Sequence, residues 1–168
     1  MWGKQFFGWD SMKISLDKID LVIIQRLLLD GRASFSSIAK DAKLTDVAIK
    51  KRVESLKKKN VIASITANLN YKTLGFENPI FVQIRSEVAK NKDLIKKLSS
   101  MDYVVELYQV LGEYNLIAKI IVQDLDAAEK TINKLGTFDG ILDLKTLVVL
   151  SELKKTGAVP TEALQKKL

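Results

Sequence analysis

Lys50, Lys51, Lys57, Lys58 and Lys59 fall within ten consecutive positions. Ammonium groups at such density suit two kinds of acceptor: phosphate oxygens, which set affinity, and the O6 and N7 edge of guanine, which sets sequence preference. Further on, Gly112-Glu113-Tyr114-Asn115 brings a carboxylate, a phenol and an amide into four residues. That loop reads equally as a contact for a small polar ligand and as a hairpin turn, for which glycine and asparagine are well suited. Catalytic chemistry is short of parts. The 168 residues contain no cysteine and no histidine. Disulfides, thiolate zinc sites, iron–sulfur clusters and cysteine nucleophiles are excluded, and so are the commonest general base and the Ser-His-Asp route. We expect no enzyme activity, no cofactor and no metal.

The placement of charge sharpens the reading. Residues 1–12 are neutral overall, with one Lys and one Asp. Residues 13–72 hold 13 Lys or Arg against 6 Asp or Glu, a net +7. Residues 73–168 hold 13 of each. The whole +7 of the chain therefore sits in its first part, as expected for a neutral body carrying one nucleic-acid-binding domain.

The elements that position these residues can be read from periodicity and caps. Helix 1 is predicted over 17–29, with Asp17 as N-cap and Asp20 in the first turn. Its stripe is Ile19, Val22, Ile23 and Leu27, widened by Ile24 and Leu28, and Gly31 should end it in a left-handed conformation. Ser34 caps a helix over 35–42 that turns Ile38 and Ala39 inward. Thr45 caps a third helix over 46–59, closed by a left-handed Asn60. Two helices joined by a three-residue turn have the spacing of a helix-turn-helix. In the third helix Ile49, Val53 and Leu56 share a narrow arc and form its buried face, so Val47, Lys51, Glu54 and Lys58 point the other way. The outward N-terminal part is the part that enters a major groove. The candidate DNA contacts are thus Ser34, Thr45, Asp46, Val47, Lys50 and Lys51, with Lys57 and Lys58 on phosphate. Arg52 is open to two readings, a phosphate contact or an ion pair with an acid of helix 1.

Residues 61–70 alternate like an extended segment, and Gly75 and Pro79 mark a linker. Strands over 80–87, 104–111, 116–122 and 141–150 and helices over 91–101 and 124–135 follow in β-α-β-β-α-β order, a ferredoxin-like arrangement. Leu125, Ala128, Ile132 and Leu135 should form the inner face of the last helix. The division expected is a candidate N-terminal extension 1–12, a helix-turn-helix domain 13–63, an extended linker 64–79, an α/β domain 80–155 and a tail 156–168. No stretch reaches the ~18 apolar residues of a membrane span, and residues 1–12 lack the layout of a secretory signal. A cytoplasmic protein is expected.

The ordered set of residues resembles the Lrp/AsnC (feast/famine) transcription regulators. It comprises Leu16-Asp17 with Asp20, Asp30-Gly31-Arg32-Ala33-Ser34, Ile38-Ala39, Arg52-Val53 with Leu56, Val61-Ile62, Leu74-Gly75, Gly112-x-Tyr114-Asn115 and Thr146. The resemblance spans residues 16–155. It implies an α+β protein: a winged helix-turn-helix domain followed by a ferredoxin-like βαββαβ RAM domain. It further implies homodimers formed by paired RAM sheets, assembly into tetramers or octamers, and an amino-acid effector near Gly112, Glu113, Tyr114, Asn115 and Thr146. The chain departs from the pattern at Asn115, where the family usually carries aspartate. An amide supplies no charge for an α-ammonium group, which leaves Glu113 as the neighbouring carboxylate. Two other readings stand beside sequence-specific regulation. One is an architectural, weakly specific DNA compactor. The other is a tetrapyrrole decarboxylase of the same two-domain fold, a group that leans on histidines.

Overall fold

The computed structural model describes residues 15–155; the expected extension 1–12 and tail 156–168 lie outside the described residues. The chain divides into a first unit ending at Ala67 and a second unit, Asn68–Lys155.

The first unit is built from three capped helices: α1 (Lys18–Leu29), α2 (Phe35–Ala42) and α3 (Asp46–Lys58). Each start is fixed by a side chain that satisfies an otherwise orphaned backbone N–H. At α1 the arrangement is reciprocal. Asp17 accepts from the Asp20 N–H at 2.8 Å, and Asp20 accepts from the Asp17 N–H at 3.2 Å. Ser34 and Thr45 cap α2 and α3 by accepting from the N–H groups of Ser37 and Ala48. Ile23, Ile38, Ile49 and Leu56 are fully buried together, with Leu21, Ile24 and Val53 around them.

Two local expectations change. Gly31 is not left-handed; α1 ends instead on Asp30 in an extended conformation, φ −143°. The glycine is needed for closeness, because a Cβ there would stand 3.1 Å from the Ile65 side chain. The left-handed residue that closes α2 is Lys43, φ 53°, while Asn60 takes φ 54° after α3. No strand occurs between α3 and Ile80 among the described residues, so the wing implied by the resemblance is only an irregular segment here. The alternation in residues 61–70 gives strand-like chemistry, but a ladder needs a partner strand.

The second unit is a four-stranded antiparallel sheet in the order β2-β3-β1-β4. Its strands are β1 (Ile80–Ser86), β2 (Val104–Gln109), β3 (Leu116–Ile120) and β4 (Ile141–Val148). Helices α4 (Asn91–Ser99) and α5 (Leu125–Gly136) pack on one face, and a short 3₁₀ turn, Val88–Lys90, precedes α4. Strict alternation along β1 sends Ile80, Val82, Ile84 and Ser86 into the core with Leu94, Leu98, Leu116, Ala118, Ala128 and Leu135. Phe81, Gln83 and Arg85 stand half-buried on the opposite face. Leu125 departs from expectation. It is the first residue of α5 and is 64% exposed, so the inner face of that helix begins at Ala128. Residues expected in the linker belong partly to this unit: the Glu77 N–H donates to Val122 O, and Asn78 Nδ2 donates to Leu150 O.

Candidate nucleic-acid interface and ligand loop

Burial of Ile49, Val53 and Leu56 holds α3 with its other side outward. Val47 is 63% exposed on that side. Asp46, Lys50, Lys51, Glu54, Lys57 and Lys58 are exposed as well. The caps leave Ser34 and Thr45 serviceable. Each hydroxyl oxygen accepts from the backbone, so each O–H remains free to donate to a phosphate. Lys43, exposed in the turn two residues before the α3 cap, adds a cation that the sequence pattern does not flag. Only its left-handed backbone reveals that position, and a lysine gives no signal for it.

Arg52 takes the structural one of its two readings. Its guanidinium donates to Asp17 at 2.6 Å and to Asp20 at 2.9 Å, tying α3 to the start of α1. The Asp20 backbone N–H, with Arg52 beside it, holds the Asp17 carboxyl below the usual carboxylate range. Asp17 in turn raises the Arg52 guanidinium further. Arg26 does similar work between α1 and α2, with Nε 2.7 Å from Asp41 and Nη2 donating to Ser37. The outward cations of α3 are therefore lysines.

In the second unit, residues 110–115 close a hairpin between β2 and β3, with the Val110 N–H donating to Asn115 O at 3.0 Å. The asparagine side chain pairs with the end of β1. Its Oδ1 accepts from the Ser86 N–H at 2.9 Å, with the Ser86 Oγ also 2.9 Å away, and its Nδ2 donates to Ser86 O at 3.1 Å. Ser86 Oγ also lies 2.5 Å from Asn91 Oδ1 at the start of α4. The side-chain amide thus copies a backbone pairing, accepting and donating at one residue. This pairing ties the β2–β3 hairpin to the end of β1. It also accounts for the amide, since a carboxylate could not donate to the Ser86 carbonyl. Asn115→Asp is expected to lower stability by about 1–3 kcal/mol through that unsatisfied carbonyl. Urea unfolding of the two proteins checks it, and an unchanged midpoint would refute the pairing.

Tyr114 Oη donates to Asp143 Oδ2 on β4 at 2.7 Å. That bond holds the Asp143 carboxyl below its ordinary range and the Tyr114 phenol above its own. Thr146 does not join this group within one chain. It stands opposite Val82 on the helix-covered side, whereas Asp143 stands opposite Arg85. Three strand residues separate them, about 10 Å. Thr146 instead lines a cleft of about 250 Å³ with Ile80, Leu125, Ala128, Ile132 and Val148.

The geometry can be set beside known proteins. The AsnC-type helix-turn-helix domain matches residues 16–57, and the Lrp/AsnC ligand binding domain matches residues 80–159. The HTH-type transcriptional regulator LrpA of Pyrococcus horikoshii is 31% identical over 140 residues, covering 83% of this chain and 99% of that protein. The HTH-type transcriptional regulator FL11 of Pyrococcus abyssi is 29% identical over 149 residues, covering 89% and 99%. Among solved structures, E. coli AsnC superposes with a TM-score of 0.79 at 29% identity, covering 86% of this chain and 99% of that one. A transcriptional regulator from Neisseria meningitidis, solved as an L-Met complex, superposes with a TM-score of 0.83 at 20% identity, covering 89% and 99%, a likeness of fold.

Proposed function

The chain belongs to the Lrp/AsnC family of HTH-type transcription regulators, and from that premise we propose that α3 reads duplex DNA while a small effector at the β2–β3 hairpin modulates the binding. The observation that carries the reading is the outward face of α3: exposed Val47, Lys50 and Lys51 at its N-terminal half, held there by the buried Ile49, Val53 and Leu56. Lys50 and Lys51 select bases, Val47 packs against a thymine methyl, and Lys57 and Lys58 hold phosphate. Ser34 and Thr45 donate to phosphate through their hydroxyls. Asp46 sits in the first turn beside them. Arg52 positions the helix and is not a reader.

A dimer presents two such helices to half-sites separated by whole helical turns. Phe81, Ile117 and Leu147, on the sheet face that no helix covers among the described residues, are the apolar surface suited to a second copy. Tetramers or octamers build on that dimer. An amino acid is the effector class proposed, and regulating a chromosome carries with it a cytoplasmic location. Like its relatives, the chain is a regulator and not an enzyme.

The test is selection of bound sequences from a random duplex pool, repeated with a panel of amino acids. A recurring motif with two half-sites about ten base pairs apart, or a multiple of that, is expected. A selected-to-bulk affinity ratio near one would favour compaction instead, since specific regulators exceed bulk DNA by roughly 10³-fold or more at a stated salt concentration.

A further inference from the structure

Two carboxylates belong to α3, and only one of them is explained by the helix itself. Asp46 is the first residue, where the positive end of the helix dipole favours an acid. Glu54 is the ninth of 13 residues, beyond the first turn, and gains nothing there. Lysines stand three and four positions away on both sides, at Lys50, Lys51, Lys57 and Lys58, the spacing at which helical ion pairs form. Glu54 is nevertheless exposed and forms no ion pair among the described residues. It also lies on the face offered to a polyanion. Val47, Lys50, Lys51 and Glu54 follow at i, i+3, i+4 and i+7, one stripe turned away from the buried Ile49, Val53 and Leu56. A homeodomain reads the major groove with a helix stripe of this same spacing. From Val47 to Glu54 is seven residues, about 10 Å along the axis, which fits within a groove about 12 Å wide.

An ionised carboxylate can only accept hydrogen bonds, so its partners in a groove are amino groups. Two bases show one there, cytosine at N4 and adenine at N6. Adenine sets the N7 acceptor beside its amino group, which opposes the second carboxylate oxygen. Guanine and thymine show acceptors, O6 with N7 and O4. Cytosine alone shows a donor with no acceptor on its own edge. We propose that Glu54 reads sequence, accepting from cytosine N4 at one position of each half-site and rejecting the other bases there. The assignment rests on the reading of α3 above and extends it from cations, which suit guanine, to an anion that suits the opposite kind of edge. The same charge repels phosphate, so Glu54 weakens binding wherever that cytosine is missing.

The test repeats selection from a random duplex pool with the full chain and with its Glu54→Gln and Glu54→Ala variants. The unaltered chain should select a motif with a fixed cytosine in each half-site. Glu54→Gln should exchange that one cytosine for adenine, because a side-chain amide pairs with adenine N6 and N7. Glu54→Ala should leave the position without preference and keep the others. On defined duplexes both variants should lose roughly 5- to 150-fold of the discrimination for cytosine at that position. Both should gain roughly threefold for bulk DNA, the Coulomb energy of one charge about 7 Å from a phosphate in water. Replacing the cytosine by 2-pyrimidinone, which lacks only the amino group, should weaken the unaltered chain by the same factor as a wrong base and spare Glu54→Ala. A general loss of structure cannot change one base preference while strengthening bulk binding. One motif shared by all three proteins overturns the assignment, and loss of affinity in Lys50→Ala or Lys51→Ala would then leave α3 as the reader without it. Tighter binding of the variants to every sequence alike, with preference unchanged, overturns it too, since Glu54 would then act only as a repelling charge. A chain that selects no motif overturns the assignment together with the reading of α3.

Discussion

Alanine at Lys50 or Lys51 is expected to weaken binding to a selected operator by roughly 5- to 150-fold where the lysine reads a base, equivalent to about 1–3 kcal/mol of discrimination. The loss should be steepest at one base position and small on bulk DNA. Lys57→Ala with Lys58→Ala should behave differently. Their positions at the far end of α3 suit phosphate, so the double substitution should weaken all sequences alike. It should also reduce the slope of log K against log salt by about 2, near 0.9 for each phosphate that is no longer neutralised. All four side chains are exposed and none forms an ion pair among the described residues. Folding stability should then move by no more than about 0.5 kcal/mol. Electrophoretic or anisotropy titrations at several salt concentrations separate the two classes. Unchanged affinity in both Lys50→Ala and Lys51→Ala would remove α3 as the reader.

The first unit was legible because local signals agreed with tertiary ones. Asp17, Ser34 and Thr45 are caps by residue type and by geometry, and the spacing of Ile49, Val53 and Leu56 matches their burial. What escaped were features decided by a partner distant in sequence. Lys43 adopts a left-handed turn that its side chain does not favour, with the following Leu44 N–H donating to Ala39 O. Gly31 is small because Ile65 approaches it, not because of its own backbone. In the second unit the β-α-β-β-α-β succession of elements was legible, but proximity along the chain is a poor guide to the ligand loop. Only register shows Asp143 beneath Tyr114 and Thr146 on the other face of the sheet. Asn115 has the residue type of a missing charge. The Ser86 backbone, 29 residues away, turns it into a pairing that only an amide can make.

Ile49→Ala should remove DNA binding without touching a single DNA-facing side chain. Ile49 is fully buried, in one cluster with Ile23, Ile38 and Leu56, at the point where α3 begins. Truncating a buried isoleucine costs about 2–5 kcal/mol, since the forfeited transfer energy is joined by a cavity that a three-helix cluster fills only partly. A unit of this size rarely has more than about 3–5 kcal/mol from its core alone. The substitution therefore consumes most of that unit's margin, and the outward array of Val47, Lys50 and Lys51 loses its fixed orientation along with it. The sheet unit has a separate core around Val82, Ile84, Leu98 and Leu135, and no residue of that cluster changes. Hydrogen exchange followed by mass spectrometry should show protection lost across α1, α2 and α3 and kept in the β1–β3 ladder. Affinity for the selected operator should fall by more than about 30-fold, the equivalent of 2 kcal/mol. Uniform loss of protection through both units would mean that they unfold as one cooperative body. Full protection with full affinity would mean that Ile49 is not the support on which the reading face rests.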